Sequence, residues 1–126
     1  MAGAQILVVE DNQKNMKLLR DVLEAKGYRT LEATTGVDAV ELATEHGPDL
    51  VLMDVQLPDI DGLEALGRLR ADARTASIPV LAVTAQAMHG DRERFLAAGF
   101  DAYISKPVDI VELVGAVKQH CEGRGR

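Results

Sequence analysis

Short apolar runs and amphipathic stretches alternate along the whole chain. Each apolar run has the length of a strand, and the third run is followed by a turn that contains Pro58 and Gly62. The amphipathic stretches repeat apolar residues three or four positions apart, the spacing of one helix face. The five predicted strands are Ile6–Val9, Tyr28–Ala33, Leu50–Asp54, Pro79–Val83 and Ala102–Ser105. This alternation predicts an α/β fold, a five-stranded parallel sheet with five helices on both of its faces.

The predicted helices carry apolar stripes on one face. These stripes comprise Met16, Leu19 and Leu23, flanked by Leu18 and Val22, in the first helix; Val37, Val40 and Ala43 in the second; Leu63, Leu66 and Leu69 in the third; and Ile110, Leu113, Val114 and Val117 in the fifth. The fourth helix is predicted near Met88–Ala98. Charges at Arg29 and Glu32 place the second strand at a sheet edge, where polar side chains are tolerated.

Capping residues predict where several helices begin and end. Asp61 starts the third helix with Glu64 three residues later, as in a capping box, and Asp109 and Glu112 repeat that spacing before the fifth. Glycines follow three predicted helix ends, where a left-handed residue is favoured: Gly27, Gly47 and Gly99. Thr35-Gly36 opens the second helix, residues 71–77 are predicted to form a polar loop, and residues 123–126 are predicted to form a frayed tail.

Composition narrows the class of function. With 126 residues, of which 47% are hydrophobic, the chain is predicted to be one globular domain over residues 1–126, with its core at about 5–121. Only 3% of the residues are aromatic, so we expect an aliphatic core and no stacking platform for single-stranded nucleic acid. A net charge of −6 argues against a nucleic-acid or anionic-membrane surface, which would need basic residues.

Neither end of the sequence suggests export or membrane insertion. Cys121 is the only cysteine, so no internal disulfide can form, and we expect it to be a small apolar residue in the last helix. The first residues lack a charged leader, and no apolar run approaches the ~20 residues of a membrane span. We therefore expect a soluble, cytoplasmic protein without an output domain.

Polar residues of special type follow four of the five predicted strands. They are Glu10-Asp11, Asp54, Thr84 and Lys106. Each has an ordinary structural explanation on its own, such as a helix cap for Asp11 or a solvated amine for Lys106. Because parallel strands place their carboxyl ends on one edge of the sheet, we expect the whole set to converge on one pocket.

The predicted pocket has the groups that an aspartyl phosphate requires. Three clustered carboxylates favour Mg²⁺, which prefers about six oxygen ligands and is held through one or two carboxylates. An ammonium and a hydroxyl can then neutralise and hydrogen-bond the phosphoryl oxygens. We therefore predict that Asp54 is the nucleophile, Glu10 and Asp11 hold the metal, and Thr84 and Lys106 contact the phosphoryl group.

Together these motifs resemble the receiver domain of two-component response regulators, in the CheY-like superfamily. The resemblance covers about Ile6 to Cys121 and is carried by Glu10-Asp11, Met53-Asp54, Thr84-Ala85 and Lys106-Pro107, with Pro58 and Asp61-Gly62 after the third strand. The wider runs Val9-Glu10-Asp11-Asn12 and Thr84-Ala85-Gln86-Ala87-Met88 are most similar to DivK-like single-domain regulators of bacterial cell division. The first acidic residue is Glu where Asp is more usual in the family.

The resemblance implies a strand order of 2-1-3-4-5 and a set of residue roles. Asp54 would be the phosphoacceptor, and Mg²⁺ would be bound by Glu10, Asp11, Asp54 and the carbonyl of Gln56. Tyr103 would be the switch aromatic, turning inward as Thr84 moves toward the phosphoryl group, and the Lys106–Pro107 bond would be cis. The implied partners are a histidine kinase or histidine phosphotransfer protein and a downstream protein on the face from helix 4 to helix 5. The chain would be a monomer or a weak, phosphorylation-promoted dimer.

Three other functions compete with this interpretation. The chain could be an intermediate phosphate carrier in a multistep relay. A phosphatase of the haloacid dehalogenase type also uses an Asp nucleophile and Mg²⁺. It requires a second Asp, the general acid, two positions after the nucleophile, where this chain has Gln56. A flavin-binding module needs a hydroxyl- and Gly-rich loop after the first strand, where this chain has Glu10-Asp11-Asn12, whose charges would repel phosphate.

Overall fold

A computed structural model describes residues 3–85 and 91–124. The strands are β1 (Gln5–Val9), β2 (Arg29–Ala33), β3 (Leu50–Asp54), β4 (Val80–Thr84) and β5 (Ala102–Ser105). The helices are α1 (Gln13–Ala25), α2 (Gly36–His46), α3 (Gly62–Ala71), α4 (Asp91–Ala98) and α5 (Ile110–Arg124). All strands pair in parallel in the order β2-β1-β3-β4-β5, so the predicted fold and the edge position of the second strand are confirmed.

The sheet separates two hydrophobic clusters. Alternate residues of β3 point to opposite faces, with Val51 and Met53 in one cluster and Leu50 and Leu52 in the other. The first cluster is completed by α2, α3 and α4, and the second by α1 and α5. Because both faces are covered, the central strands can be almost wholly apolar until they reach their carboxyl ends.

Two predicted helix faces differ from the observed ones. In α2 the buried face is formed by Gly36, Ala39 and Ala43, whereas Val37 is 39% exposed. The start of the helix packs closely against Ile60, in the loop after β3, through Gly36. In α5, Leu113 and Val117 are buried as predicted, but Ile110 is 45% exposed. Ile110 is the first residue of α5, at the open end of the helix and one turn before the buried Leu113.

The core is not purely aliphatic. Phe95 is fully buried and Phe100 nearly so, with their rings edge to face at 6.0 Å, and Tyr103 stacks on Phe95 at 5.7 Å. The low aromatic content led us to expect an aliphatic core, but both phenylalanines lie in one cluster between α4 and β5. Cys121 lies in the last helix, as predicted, and packs against the second hydrophobic cluster.

Helix ends agree with the prediction in part. Asp61 caps α3 by accepting the Glu64 N–H at 2.8 Å. The Glu64 carboxylate pairs with Arg68 at 2.7 Å, and this ion pair takes the place of the second hydrogen bond that a capping box would have. The backbone of α5 continues to Arg124, into the predicted frayed tail. The predicted start of the fourth helix at Met88 lies outside the described residues. Within the described ranges, every helix is too short or too polar to cross a membrane.

Candidate functional site

Strand register brings the predicted site residues to one edge of the sheet. Met53 pairs with Val9, so the next residues along each strand, Asp54 and Glu10, lie side by side. Asp54 itself pairs with Val83, the residue before Thr84. Thr84 pairs with Ser105, and its carbonyl accepts the N–H of Lys106 at 2.9 Å. The central strand β3 therefore carries its carboxylate between partners supplied by β1, β4 and β5.

Lys106 joins two buried carboxylates. Its Nζ donates to Glu10 Oε1 at 2.7 Å and to Asp54 Oδ2 at 3.0 Å. The Lys106 side chain is 17% exposed, and the side chains of Glu10 and Asp54 are only 2% and 5% exposed. At this depth an unpaired charge would be costly, so the three groups stabilise one another.

Backbone donors fix the remaining carboxylate oxygens. Asp54 Oδ1 accepts the N–H of Gln56 at 2.9 Å, and Glu10 Oε2 accepts the N–H of Asn12 at 3.1 Å. Each carboxylate oxygen has two lone pairs, so these bonds orient the groups and leave acceptor capacity for a further ligand.

Burial and hydrogen bonding shift two pKa values at the site. Burial raises the pKa of the Glu10 carboxyl, and the bonds from Lys106 and the Asn12 N–H offset this only in part. For Lys106, burial opposes the charged form, but the bonds to Glu10 and Asp54 outweigh it and raise the pKa of the ammonium. Lys106 is therefore fully protonated at neutral pH and serves as a fixed positive charge.

The acidic side chains are close enough to hold a metal ion. One carboxylate oxygen each from Glu10, Asp11 and Asp54 lies within 4.8 Å of the others. Asp11 is exposed, whereas the other two are buried, so the cluster opens to solvent on one side. Hard oxygen ligands with an open side suit Mg²⁺, which keeps several waters when bound.

The other predicted residues surround this cluster. Thr84 is fully buried at the end of β4, and Tyr103 is half-buried on β5, with its ring against Phe95 on the α4 side of the sheet. Gln56 lies two residues after Asp54 and donates its backbone N–H to the Asp54 carboxylate. The bond between Lys106 and Pro107 is cis, as the resemblance implied.

A mostly apolar groove of about 390 Å³ runs beside the site. It lies between α1 and the segment that follows β5. Leu18 and Leu19 line it on one side, Pro107 and Val108 on the other, and Glu10 and Lys106 stand at its polar end. Glu10 and Lys106 therefore border both this groove and the carboxylate cluster.

Two residues with several hydrogen bonds were not predicted from the sequence, and one of them lies near the site. Asp59, in the loop that follows β3, accepts the N–H groups of Gly36 at 2.8 Å and Val37 at 3.0 Å, and these bonds lower its pKa to about 2. Arg70 lies at the opposite edge of the sheet, where β4 and β5 begin, and donates to the carbonyls of Ala76, Ile78 and Gly99 and to the carboxylate of Asp101. The partners of Asp59 lie 22 and 23 residues away, so local spacing carries no signal for this residue.

The sequence matches a known family over nearly its whole length. The profile of the response regulator receiver domain matches residues 6–118. The chain is 49% identical over 115 residues to the polar-differentiation response regulator DivK of Brucella ovis, and equally to that of Brucella anthropi. In both cases the match covers 91% of this chain and 94% of the relative.

Solved structures of the same fold include a metal-bound one. The receiver domain of the sensor histidine kinase PA1611 from Pseudomonas aeruginosa, with a magnesium ion coordinated in its active-site cleft, superposes with a TM-score of 0.88 at 37% identity. That alignment covers 96% of this chain and 99% of the other. A CheY-like receiver domain protein from Methanospirillum hungatei gives a TM-score of 0.89 at 28% identity, covering 98% and 97%.

Proposed function

Because the chain belongs to the response regulator receiver domain family, we propose that Asp54 accepts a phosphoryl group from a histidine of a partner protein. The chain is a DivK-like response regulator of a phosphorelay. The observation that carries the assignment to Asp54 is its place at the end of β3, between Glu10 and the ammonium of Lys106. A carboxylate in that position is oriented, and a positive charge already stands where phosphoryl oxygens would arrive.

The proposed reaction is a displacement at phosphorus. A carboxylate oxygen of Asp54 attacks, the P–N bond to the donor imidazole breaks, and its electron pair stays on the imidazole nitrogen. Lys106 stays protonated and stabilises the charge on the transferred oxygens, and the Thr84 hydroxyl donates to one of them. Hydrolysis of the acyl phosphate returns Asp54 to its resting state. The domain thus assists its own phosphorylation and dephosphorylation, and is not an independent enzyme.

The acidic cluster is proposed to hold Mg²⁺. Glu10, Asp11 and Asp54 would bind it through carboxylate oxygens and Gln56 through its carbonyl. The fit rests on the 4.8 Å cluster of hard oxygen atoms, and a related receiver domain carries magnesium in its cleft. When bound, the ion offsets the repulsion between the Asp54 carboxylate and the incoming phosphoryl group.

We propose that the signal leaves through protein contacts. On phosphorylation the carboxylate of Asp54 is replaced by an acyl phosphate that carries about two negative charges. Thr84 moves toward the phosphoryl oxygens, and Tyr103 turns inward from its place against Phe95. This changes the surface from α4 to α5, where a downstream protein binds. A regulator made of one domain is supported by relatives of nearly the same length, which are named polar-differentiation response regulators DivK. We propose that this chain acts in cell-cycle or cell-division control. Cytoplasmic location and a monomer, or a weak dimer promoted by phosphorylation, remain predictions.

A phosphotransfer assay tests this proposal. A radiolabelled histidine kinase or phosphotransfer protein should pass its label to the wild-type chain in the presence of Mg²⁺, and addition of a chelator should prevent the transfer. The Asp54→Asn variant keeps the shape of the side chain without the nucleophilic carboxylate and should take no label. Label on the variant at the wild-type rate would show that Asp54 is not the acceptor. Steady turnover of phosphate esters would instead indicate a phosphatase.

A further inference from the structure

We propose that Asp59 is a positioning residue for the site, because its carboxylate ties the loop that follows β3 to the first turn of α2. One Asp59 oxygen accepts the Gly36 N–H at 2.8 Å, and the other accepts the Val37 N–H at 3.0 Å. This inference rests on the proposed function, since it gives that loop the task of holding the metal and orienting Asp54.

The loop in question covers residues 55–61 and leads directly out of the site. At its base, the N–H of Gly62 donates to the carbonyl of Val55 at 2.8 Å, and the N–H of Gln56 donates to Asp54 at 2.9 Å. Asp59 lies near its tip and makes the bonds to α2 there. Gln56, the proposed carbonyl ligand of the metal, therefore lies between the base and the tie formed by Asp59.

Packing around Gly36 brings the loop and the helix together. A Cβ atom at position 36 would collide with the side chain of Ile60, so only glycine permits this approach. Asp59 thus binds the first turn of α2 through hydrogen bonds, and its neighbour Ile60 packs against the same turn. The loop is therefore held to α2 by two adjacent residues.

The bonds to Asp59 are more than a local helix cap. The first four N–H groups of a helix lack partners within the helix. Thr35 already caps α2 in the local way, since its hydroxyl oxygen accepts the Asp38 N–H at 3.1 Å. Asp59 takes two further N–H groups from a segment that lies 23 residues away in sequence. Its pKa of about 2 keeps the carboxylate charged throughout the neutral pH range.

Thr35 supplies a matched control, because both residues cap α2 but only Asp59 also holds the loop. The Mg²⁺ dissociation constant, from calorimetric titration of the full chain, and the rate of phosphorylation by acetyl phosphate would be compared. We expect Asp59→Ala to raise the dissociation constant about tenfold, the low end of what outer-shell partners contribute, and to slow phosphorylation. Thr35→Ala should lower only the melting temperature.

The outcomes separate this inference from the proposed function. The positioning role would be overturned if Asp59→Ala bound Mg²⁺ as tightly as wild type does. It would also be overturned if Asp59→Ala and Thr35→Ala lost the same amount of Mg²⁺ affinity. Either result would leave the proposed function intact. A wild-type chain that neither binds Mg²⁺ nor takes up phosphate would overturn both. Asp59→Asn keeps one acceptor oxygen in place and should recover part of the affinity, and it decides the matter if Asp59→Ala does not fold.

Discussion

Lys106 Nζ lies 3.0 Å from Asp54 Oδ2, although the two residues are 52 positions apart in sequence. They meet because β5 and β3 flank β4 in a parallel sheet and both end at the same edge. The ammonium occupies the side of Asp54 where a phosphoryl oxygen would need a counter-charge. Before phosphorylation the ammonium also pairs with the carboxylates of Asp54 and Glu10. Lys106 therefore both stabilises the resting fold and prepares the site for reaction.

Replacing Lys106 by Met should separate these two roles. Without the ammonium, two buried carboxylates lose their partner, so the free energy of unfolding of the metal-free chain should fall by about 3 kcal/mol. Mg²⁺ should bind several-fold more tightly because no amine competes for the carboxylates, and it should restore much of the lost stability. Urea unfolding with and without Mg²⁺ measures both effects. Lys17→Met, at an exposed ion pair with Asp21, is the control and should change neither quantity.

Replacing Glu10 by Gln should weaken Mg²⁺ binding and change how the stability of the metal-free chain depends on pH. The pKa of Glu10 is higher in the folded chain than in the unfolded one, because burial disfavours its charge. The stability that its protonated form contributes is therefore lost as the pH rises from about 4.3 through the raised folded pKa. Glutamine does not titrate, so the melting temperature of metal-free Glu10→Gln relative to wild type should rise as the pH is raised from about 4 to neutral. A difference in melting temperature that does not change over this pH range would contradict this account.

Two glycines of α3 should respond in opposite ways to alanine. A Cβ at Gly62 would lie 2.7 Å from the Cα of Val55 and 3.0 Å from the carbonyl oxygen of Asp54, and backbone atoms cannot yield easily. Gly62→Ala should therefore destabilise the chain and slow phosphorylation. Gly67 is exposed with nothing within 4 Å of such an atom, so Gly67→Ala should add about 0.5–1 kcal/mol through helix propensity. Thermal unfolding measures the melting temperature of both variants. A change of the same sign in Gly62→Ala and Gly67→Ala would refute this reasoning.

The tie formed by Asp59 should weaken in acid. Its folded pKa of about 2 lies below the unfolded value, so its stabilisation is complete above about pH 4–5 and is lost as the pH falls toward the folded pKa. The difference in melting temperature between wild type and Asp59→Asn should stay constant from neutral pH down to about 5 and shrink below that. A difference that stays the same down to pH 3 would mean that Asp59 contributes through shape and not through its charge.

The sequence predicted the fold and the convergence of the strand ends because both depend on local patterns. Apolar runs mark the strands, and parallel order alone places Glu10, Asp54, Thr84 and Lys106 on one edge. The strand pairing places these residues side by side at that edge, although the residue-by-residue register was not predicted.

Features that depend on packing between distant segments were not predicted. Asp59 has its hydrogen-bond partners on α2, which no local motif in the sequence indicates. The exposure of Val37 depends on how Ile60 seats against Gly36, which periodicity does not describe. The burial of Phe95 likewise reflects its pairing with Phe100 and Tyr103, and not the overall aromatic content.

The identity of the phosphorylated atom is the central question, and chemical trapping answers it most directly. The chain would be phosphorylated with acetyl phosphate and Mg²⁺, reduced with borohydride, which converts an aspartyl phosphate to homoserine, and digested for mass spectrometry. The expected result is homoserine at position 54 alone, and none there in a sample kept free of Mg²⁺. Homoserine at Asp11 or Asp61 in place of Asp54, or an unmodified chain despite Mg²⁺, would contradict the assignment of Asp54 as the phosphoacceptor.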